Sequence, residues 1–232
     1  MINRLKQTNK LSQIILIASV ITFAVLLLAF RIYKTESPHF IFLIWNLFLA
    51  GIPWTISSLM IISPLLRKRL VILVISGIIW ILFIPNTFYL LTDLFHLNYK
   101  NLAPVWYDLV LILSFAWAGL ILGFSSLKDL ELILSEKINK KIIPALTVII
   151  LFIISFGIYL GRFLRWNSWN IINEPTNLIY DITDRITNPV DHTETWGMTI
   201  LTGILLNLIW WSFKIFNQSN QSIVNIHKPK IN

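Results

Sequence analysis

Apolar residues occur along this chain in six long blocks that are separated by more polar segments. The blocks lie near residues 11–30, 40–62, 70–84, 105–127, 142–161 and 196–213. A helix that crosses the hydrocarbon core of a membrane needs about 20 mostly apolar residues, and most of the blocks reach this length. The pattern therefore predicts an all-α fold, a polytopic bundle of about six transmembrane helices in a single domain over residues 1–216. A polar tail is predicted over residues 217–232.

The third block is shorter than the others because Pro85 and Asn86 interrupt it. Proline lacks a backbone donor and breaks helices. We expect residues 87–97 to continue as a second helical piece that is partly buried in the bundle.

The connection over residues 162–195 is long, since helices in bundles are usually joined by about 2–8 residues. Pro175 suits a first helical turn. Apolar residues then recur at helical spacing, with polar residues between them, at Leu178, Ile179, Ile182 and Ile186. This pattern predicts a short amphipathic helix over residues 175–187 that lies at the outer membrane interface.

The composition supports a membrane protein. The chain is 56% hydrophobic and 13% charged, whereas soluble domains carry about 25% charged residues. Its formal net charge of +8 is spread between the apolar blocks rather than along one helix face, so no nucleic-acid partner is expected. Cysteine is absent, and the Asp191-His192-Thr193-Glu194 run lacks the spacing of a metal-binding helix. No metal and no cofactor are predicted.

The distribution of charge predicts an orientation. Most of the 19 lysines and arginines lie before the first block, after the sixth, or in the connections on the same side of the membrane. The positive-inside rule then places both termini, and with them the polar tail, in the cytoplasm. Most acidic residues fall on the outer side, which is therefore the chemically richer face. Abundant isoleucine, lysine and asparagine are typical of AT-rich bacterial genomes, and we expect a multi-pass protein of a bacterial plasma membrane.

Polar residues recur on one face of the helical piece that follows the third block. Asn86, Tyr89, Asp93 and His96 have helical spacing and would project together at the outer boundary. In a functional interpretation, Asp93 orients or charges His96 as a proton acceptor, or both bind a cation. In the structural alternative, this face is an interfacial surface that meets water.

Charged and aromatic residues also mark the outer ends of the fourth and fifth blocks. Two arginines on one helix face would suit a phosphate or a carboxylate, and neighbouring tryptophans would suit a lipid headgroup or a sugar. Alternatively, the arginines form internal ion pairs with Asp93 and Asp108. We expect one outer-facing pocket, with a ligand-binding set of Asn86, Asp93, Asp108, Arg162, Arg165, Trp166 and Trp169.

Small residues one turn apart allow close helix packing in lipid. Gly119-x-x-x-Gly123 lies in the fourth block and Gly157-x-x-x-Gly161 in the fifth. These two motifs predict a tight contact between the fourth and fifth helices.

Four stretches carry a resemblance to a known family: Asn46-Leu-Phe-Leu-Ala-Gly-Ile-Pro53, Pro85-Asn-Thr-Phe-Tyr-Leu-Leu-Thr-Asp93, Trp106-Tyr-Asp108 and Gly161-Arg-Phe-Leu-Arg-Trp-Asn-Ser-Trp169. The chain resembles a family of bacterial predicted membrane proteins, domain of unknown function 1361. The family pattern continues after Trp169 with an acid, where this chain has Asn170. The resemblance therefore implies that a carboxylate at this position is not essential, and it implies no particular activity.

Three functions remain open at this point. The first is a membrane protein that binds an anionic lipid or cell-envelope component in the outer pocket. The second is a membrane enzyme that uses Asp93 and His96 as acid and base on such a ligand. The third is a transporter or an accessory subunit of a larger complex, which the few deeply placed polar residues, Asn207, Ser57 and Ser58, disfavour. Beyond the lipid bilayer and this ligand, the sequence does not identify a protein partner.

Overall fold

A computed structural model describes residue 8, residues 10–97 and residues 102–226, with the backbone alone for the last ten. Six helices are long and apolar enough to cross a membrane, and the described part of the chain contains no strand. The prediction of an all-α bundle with six spans is confirmed. We number the helices α1 (Lys10–Thr35), α2 (Phe42–Ile62), α3 (Leu70–Phe83), α4 (Val105–Ser135), α5 (Ile143–Arg162) and α6 (Thr193–Ile226).

Helix α6 extends beyond the expected end of the sixth span. It continues to Ile226, so part of the polar tail predicted over residues 217–232 is helical. The rest of that tail, residues 227–232, lies outside the described residues.

Helix α4 is the centre of the bundle. Of its most apolar stretch, 56% is buried within the protein, against 17% of the corresponding stretch in α1. Both clusters of buried apolar side chains contain residues of α4. The other helices therefore pack around α4 and keep much of their own surface for lipid.

The chain remains helical after the proline that ends α3. A short helix over Pro85–Tyr89 is followed by a 3-10 helix over Leu90–His96. This agrees with the second helical piece that the sequence predicts. We call Pro85–His96 the wedge segment. It is more deeply buried than expected, because Thr87, Phe88 and Leu90 are completely inaccessible to solvent.

Both glycine motifs face the wedge segment. A Cβ atom on Gly119 would lie 2.2 Å from the carbonyl oxygen of Thr87, and one on Gly123 would lie 2.5 Å from the Thr87 hydroxyl. On the other side, a Cβ atom on Gly157 would lie 2.7 Å from the Pro85 ring. The wedge segment therefore occupies the space that these glycines leave.

The predicted contact between α4 and α5 through the two glycine motifs is wrong. A small-residue motif shows which helix face permits a close approach, but it does not show which segment approaches. Here the broken end of the third span enters between the two glycine faces.

Two buried ion pairs join α1 to α4. At one end of the bundle, Arg31 Nε lies 2.6 Å from Asp108 Oδ1, and Arg31 Nη2 lies 3.1 Å from Asp108 Oδ2. At the other end, Lys10 pairs with Asp129. All four side chains are at most 4% exposed. We refer to the two ends of the bundle as the Asp108 end and the Lys10 end.

The amphipathic helix predicted after the fifth span is present over Pro175–Thr187, and we call it the surface helix. Its position is fixed by hydrogen bonds at both sides. Trp166 Nε1 donates to Asp181 Oδ2 at 2.7 Å, and Trp196 Nε1 donates to the carbonyl oxygen of Arg185 at 3.0 Å.

Candidate functional site

A cavity of about 460 Å³ lies at the Asp108 end of the bundle. Its walls come from α2, α3, α5, the wedge segment, the loop after α5 and the surface helix. We call it the wedge cavity. Its polar or amphipathic lining consists of Asn46, Asn86, Tyr89, Trp166, Asn167 and Ser168.

The remaining lining of the wedge cavity is largely apolar. Helix α5 contributes Ile153, Phe156 and Leu160, and the surface helix contributes Leu178 and Ile182. The surface helix thus turns its apolar face towards the cavity, as its amphipathic pattern requires. A ligand in this space would meet polar groups on part of its surface and hydrocarbon on most of the rest.

Asn86 has a structural task at the break in the third span. The last carbonyl groups of a helix lack partners within the helix. Asn86 Nδ2 donates to the carbonyl oxygen of Phe83 at 3.0 Å and to Ser168 Oγ at 3.1 Å. Ser168 Oγ in turn donates to the carbonyl oxygen of Leu82 at 2.8 Å. These bonds satisfy the end of α3 and attach the loop after α5 to the cavity floor.

Arg162 and Asp93 form an ion pair beside the cavity. Arg162 Nη1 lies 3.2 Å from Asp93 Oδ1 and 3.3 Å from the hydroxyl of Tyr89. Asn46 Nδ2 donates to the other carboxylate oxygen of Asp93 at 3.2 Å. Asp93 is completely buried, whereas 12% of the Arg162 side chain is exposed. Tyr89 therefore connects the wedge cavity to the ion pair.

Several N–H donors of the Arg162 guanidinium form no hydrogen bond with the described residues. Only Nη1 makes hydrogen bonds to the described residues, although arginine has five N–H donors. Its carbon centre lies 5.7 Å from the Tyr89 ring and 5.3 Å from the Phe95 ring. By contrast, Arg31 engages both oxygens of Asp108 and its side chain is fully buried. The two pairs differ in what they leave available to a ligand.

Asp108 does not join Arg162. It pairs with Arg31 of α1 and does not line the wedge cavity. Of the two aspartates considered as alternative partners of the arginines, Asp93 pairs with Arg162 and Asp108 does not. The expectation that Asp108 belongs to the shared pocket is wrong. The sequence does not distinguish Arg31 from the other basic residues, and its role as the partner of Asp108 is found only in the structure.

Arg165 and Trp169 also lie away from the expected helix face. Helix α5 ends at Arg162, and Arg165 has a left-handed backbone with φ of 60°. The fifth helix thus ends close to residue 161, as its apolar block does, and it does not extend far enough to carry both arginines on one helix face. Arg165 is exposed in the loop, while the ring of Trp169 lies 6.3 Å from that of Trp45.

His96 and Asp93 have different neighbours. The His96 ring packs 5.1 Å from the Phe42 ring and 6.2 Å from the His39 ring. Within the described part of the chain, no hydrogen bond joins His96 to Asp93. The geometry therefore does not favour acid–base chemistry by these two residues acting as a pair.

Asn46 is a cavity residue that sequence reasoning did not select as a site residue. It lines the wedge cavity and bonds to Asp93. The sequence feature that points to Asn46 is an amide side chain near the start of the apolar second block, within one of the stretches that carry the family resemblance.

His192, in the Asp191–Glu194 run at the start of α6, contacts the surface helix. His192 Nε2 lies 2.7 Å from Asp184 Oδ2 in the surface helix. Hydrogen bonds from Asn188 and His192 lower the pKa of the Asp184 carboxyl below its usual range. Among the described residues, no group of three or more histidines and acids is placed to hold a metal ion.

Residues 45–209 match the sequence model of a family described as Protein of unknown function (DUF1361). The chain belongs to this family. The matched range contains every lining residue of the wedge cavity and both members of the Asp93–Arg162 pair. With its six apolar helices, this DUF1361 protein is an integral membrane protein. No curated protein matches the chain, and no solved structure does.

Proposed function

We propose that this protein binds an anionic lipid or lipid-linked cell-envelope component in the wedge cavity. The observation that carries the proposal is the guanidinium of Arg162, which bonds to the described residues through Nη1 alone. It lies directly behind Tyr89, a residue of the cavity lining. An anionic group that reaches past Tyr89 would find unused N–H donors there.

The size and lining of the cavity suit the apolar part of such a ligand. Ligand cavities commonly have volumes of about 300–1,000 Å³ and mostly apolar walls with a few polar groups. The wedge cavity, at about 460 Å³, falls in this range. Its hydrocarbon walls would accommodate an acyl or prenyl chain, and Trp166 and Asn167 would meet the polar linkage.

The ion pair would hold Arg162 ready for the anion. Asp93 and Tyr89 fix one side of the guanidinium, and Asn46 fixes the carboxylate of Asp93 from α2. Arg165, exposed in the loop three residues later, would add a second positive charge that attracts the ligand. Binding would therefore need little rearrangement of the charged groups.

The location of this site is part of the proposal. Most basic residues lie at the Lys10 end or in the connections on that side, which favours cytoplasmic termini. The wedge cavity would then face the outside of a bacterial plasma membrane, where lipid-linked envelope precursors are displayed.

The test compares two arginines of similar exposure, and the melting temperature of each variant is measured beside its lipid binding, because the partner Asp93 is buried whereas the partner Glu136 is half exposed. The side chains of Arg162 and Arg67 are 12% and 13% exposed, and each pairs with one carboxylate. Native mass spectrometry would measure how the full-length protein retains phosphatidylglycerol relative to phosphatidylcholine with identical acyl chains. Arg162→Gln should weaken the retention of phosphatidylglycerol about 10- to 100-fold, since a charged hydrogen bond contributes ~1.5–3 kcal/mol.

Arg67→Gln serves as the matched control, because Arg67 pairs with Glu136 at the Lys10 end, away from the wedge cavity. It should leave the lipid preference unchanged. An equal loss in both variants, or a wild-type protein without a preference for the anionic lipid, would contradict the proposal.

A further inference from the structure

A second groove lies at the Lys10 end of the bundle, where α4 ends, α5 begins and α6 passes by. Its volume is about 430 Å³. We call it the lysine groove, because it is lined by Lys128 of α4, Lys140 of the connecting turn and Lys214 of α6. Trp210 and Phe213 supply its apolar surface.

Two of the three lysines are available to a ligand. The single acid in the lining, Glu131, already accepts hydrogen bonds from Lys214 at 2.8 Å and from Thr147 at 2.6 Å. Lys128 and Lys140 are exposed, and neither forms an ion pair with a described residue. The groove thus presents two positive charges that form no ion pair with a carboxylate of the described residues.

An apolar cleft continues from this groove towards the middle of the bundle. The cleft has a volume of about 290 Å³ and shares Lys128, Trp210 and Phe213 with the groove. It reaches Trp117 on α4 and Leu16 on α1. At 1.5 Å per residue, Trp117 lies about 16 Å along α4 from Lys128. Charge at one end and hydrocarbon along such a length match an acylated molecule better than a free anion.

We propose that the lysine groove and its cleft bind an anionic glycerophospholipid. The phosphate would lie between Lys128 and Lys140, and one acyl chain would follow the cleft past Phe213 towards Trp117. Basic pockets between transmembrane helices are suited to anionic headgroups in this way. This site lies at the opposite end of the bundle from the wedge cavity, and it does not depend on the function proposed there.

The test uses the full-length protein with Arg162→Gln as the parent, so that any lipid at the wedge cavity is weakened first. Native mass spectrometry would measure the affinity for phosphatidylglycerol in the parent and in a variant that adds Lys128→Gln and Lys140→Gln. A basic residue near an anionic membrane surface contributes ~1 kcal/mol, which is roughly fivefold in affinity. The added pair of changes should therefore weaken binding about 30-fold, with no effect on phosphatidylcholine.

Two further variants control for total charge and for folding. Lys137→Gln with Lys141→Gln removes the same charge from the connection between α4 and α5, at exposed residues that do not line the groove. It should keep the affinity of the parent. Lys128→Arg with Lys140→Arg preserves the charge and should retain binding, while all variants should melt at the temperature of the parent.

Several outcomes would overturn the proposal. One is an equal loss of affinity in the two glutamine pairs, which would indicate a general effect of charge. Another is the absence of any loss when Lys128 and Lys140 are changed. Finally, if glycerol phosphate displaced the lipid as efficiently as phosphatidylglycerol does, the groove would be a site for a soluble anion rather than for a phospholipid. If the proposed function of the wedge cavity fails, the Arg162→Gln parent binds phosphatidylglycerol as the wild type does. The comparison of the two glutamine pairs at the lysine groove is then unaffected.

Discussion

Replacing Gly119 with alanine tests whether the wedge segment is held between α4 and α5. The new methyl group would lie 2.2 Å from the carbonyl oxygen of Thr87 and 2.7 Å from a methyl carbon of Leu90. Thr87 and Leu90 are completely buried, and the near atom of Thr87 belongs to the backbone. The wedge segment must therefore shift as a whole, towards a second glycine face on α5 that already contacts Pro85.

The expected cost follows from this lack of space. Adding a methyl group to a tightly packed interior usually destabilises a protein by ~1–3 kcal/mol. The same change at Gly77 should act in the opposite direction, because nothing lies within 4 Å of a Cβ atom there. Alanine in a helix interior is favoured over glycine by about 0.5–1 kcal/mol. The two variants should thus differ by about 1.5–4 kcal/mol in the free energy of unfolding.

Unfolding in detergent would measure this difference, and Gly161 provides a graded control. A Cβ atom on Gly161 would lie 3.4 Å from the Tyr89 ring, close to an ordinary contact, so Gly161→Ala should fall between the other two variants. Equal stability of Gly119→Ala and Gly77→Ala would refute the wedge as the partner of the glycine motifs.

Two further predictions concern charge. Arg31→Met should destabilise the protein by ~3–5 kcal/mol, because Asp108 is then left buried and unpaired. The double change Arg31→Met with Asp108→Leu should recover much of that stability. Chemical denaturation of the single and double variants measures both effects, and additive losses of stability would contradict the prediction. In the cysteine-free chain, a single cysteine at Glu194 should react with an impermeant thiol reagent on intact cells, while one at Lys137 should react only after lysis. Labelling of Lys137 without lysis would reverse the predicted orientation.

The spans and the surface helix follow from the sequence because they depend on local patterns. Length and apolar character decide whether a helix can cross the bilayer, and the positions of Leu178 and Ile182 relative to Asp181 decide which face of a helix is apolar. Pro85 predicts the break in the third span for an equally local reason, since its ring cannot continue the pattern of backbone bonds.

The partners of charges and glycines do not follow from such patterns. Asp108 has two basic candidates at the same end of the bundle, Arg31 and Arg162, and only the packing of α1 against α4 selects the first. Gly119 and Gly157 likewise mark faces that admit a close neighbour, and the neighbour is a segment from a third part of the chain. The Asp93–Arg162 pair was among the expected alternatives, but the role of Asn46 required the three-dimensional contacts.

The two ion pairs between α1 and α4 give the protein a fixed hydrophobic thickness. The two basic residues on α1, Lys10 and Arg31, are about 21 residues apart, and so are the two acids on α4, Asp108 and Asp129. This spacing is roughly 31 Å at the helical rise. It is close to the ~30 Å of a bilayer's hydrocarbon core. Sliding α1 by one turn, about 5.4 Å, would separate both pairs at once. Although α1 lies outside the range of the family match and is largely exposed on the surface of the bundle, its register against α4 is therefore set by an ion pair near each of its ends. Membranes much thicker or thinner than this spacing would have to deform around the helix pair, because the pair itself cannot lengthen or shorten.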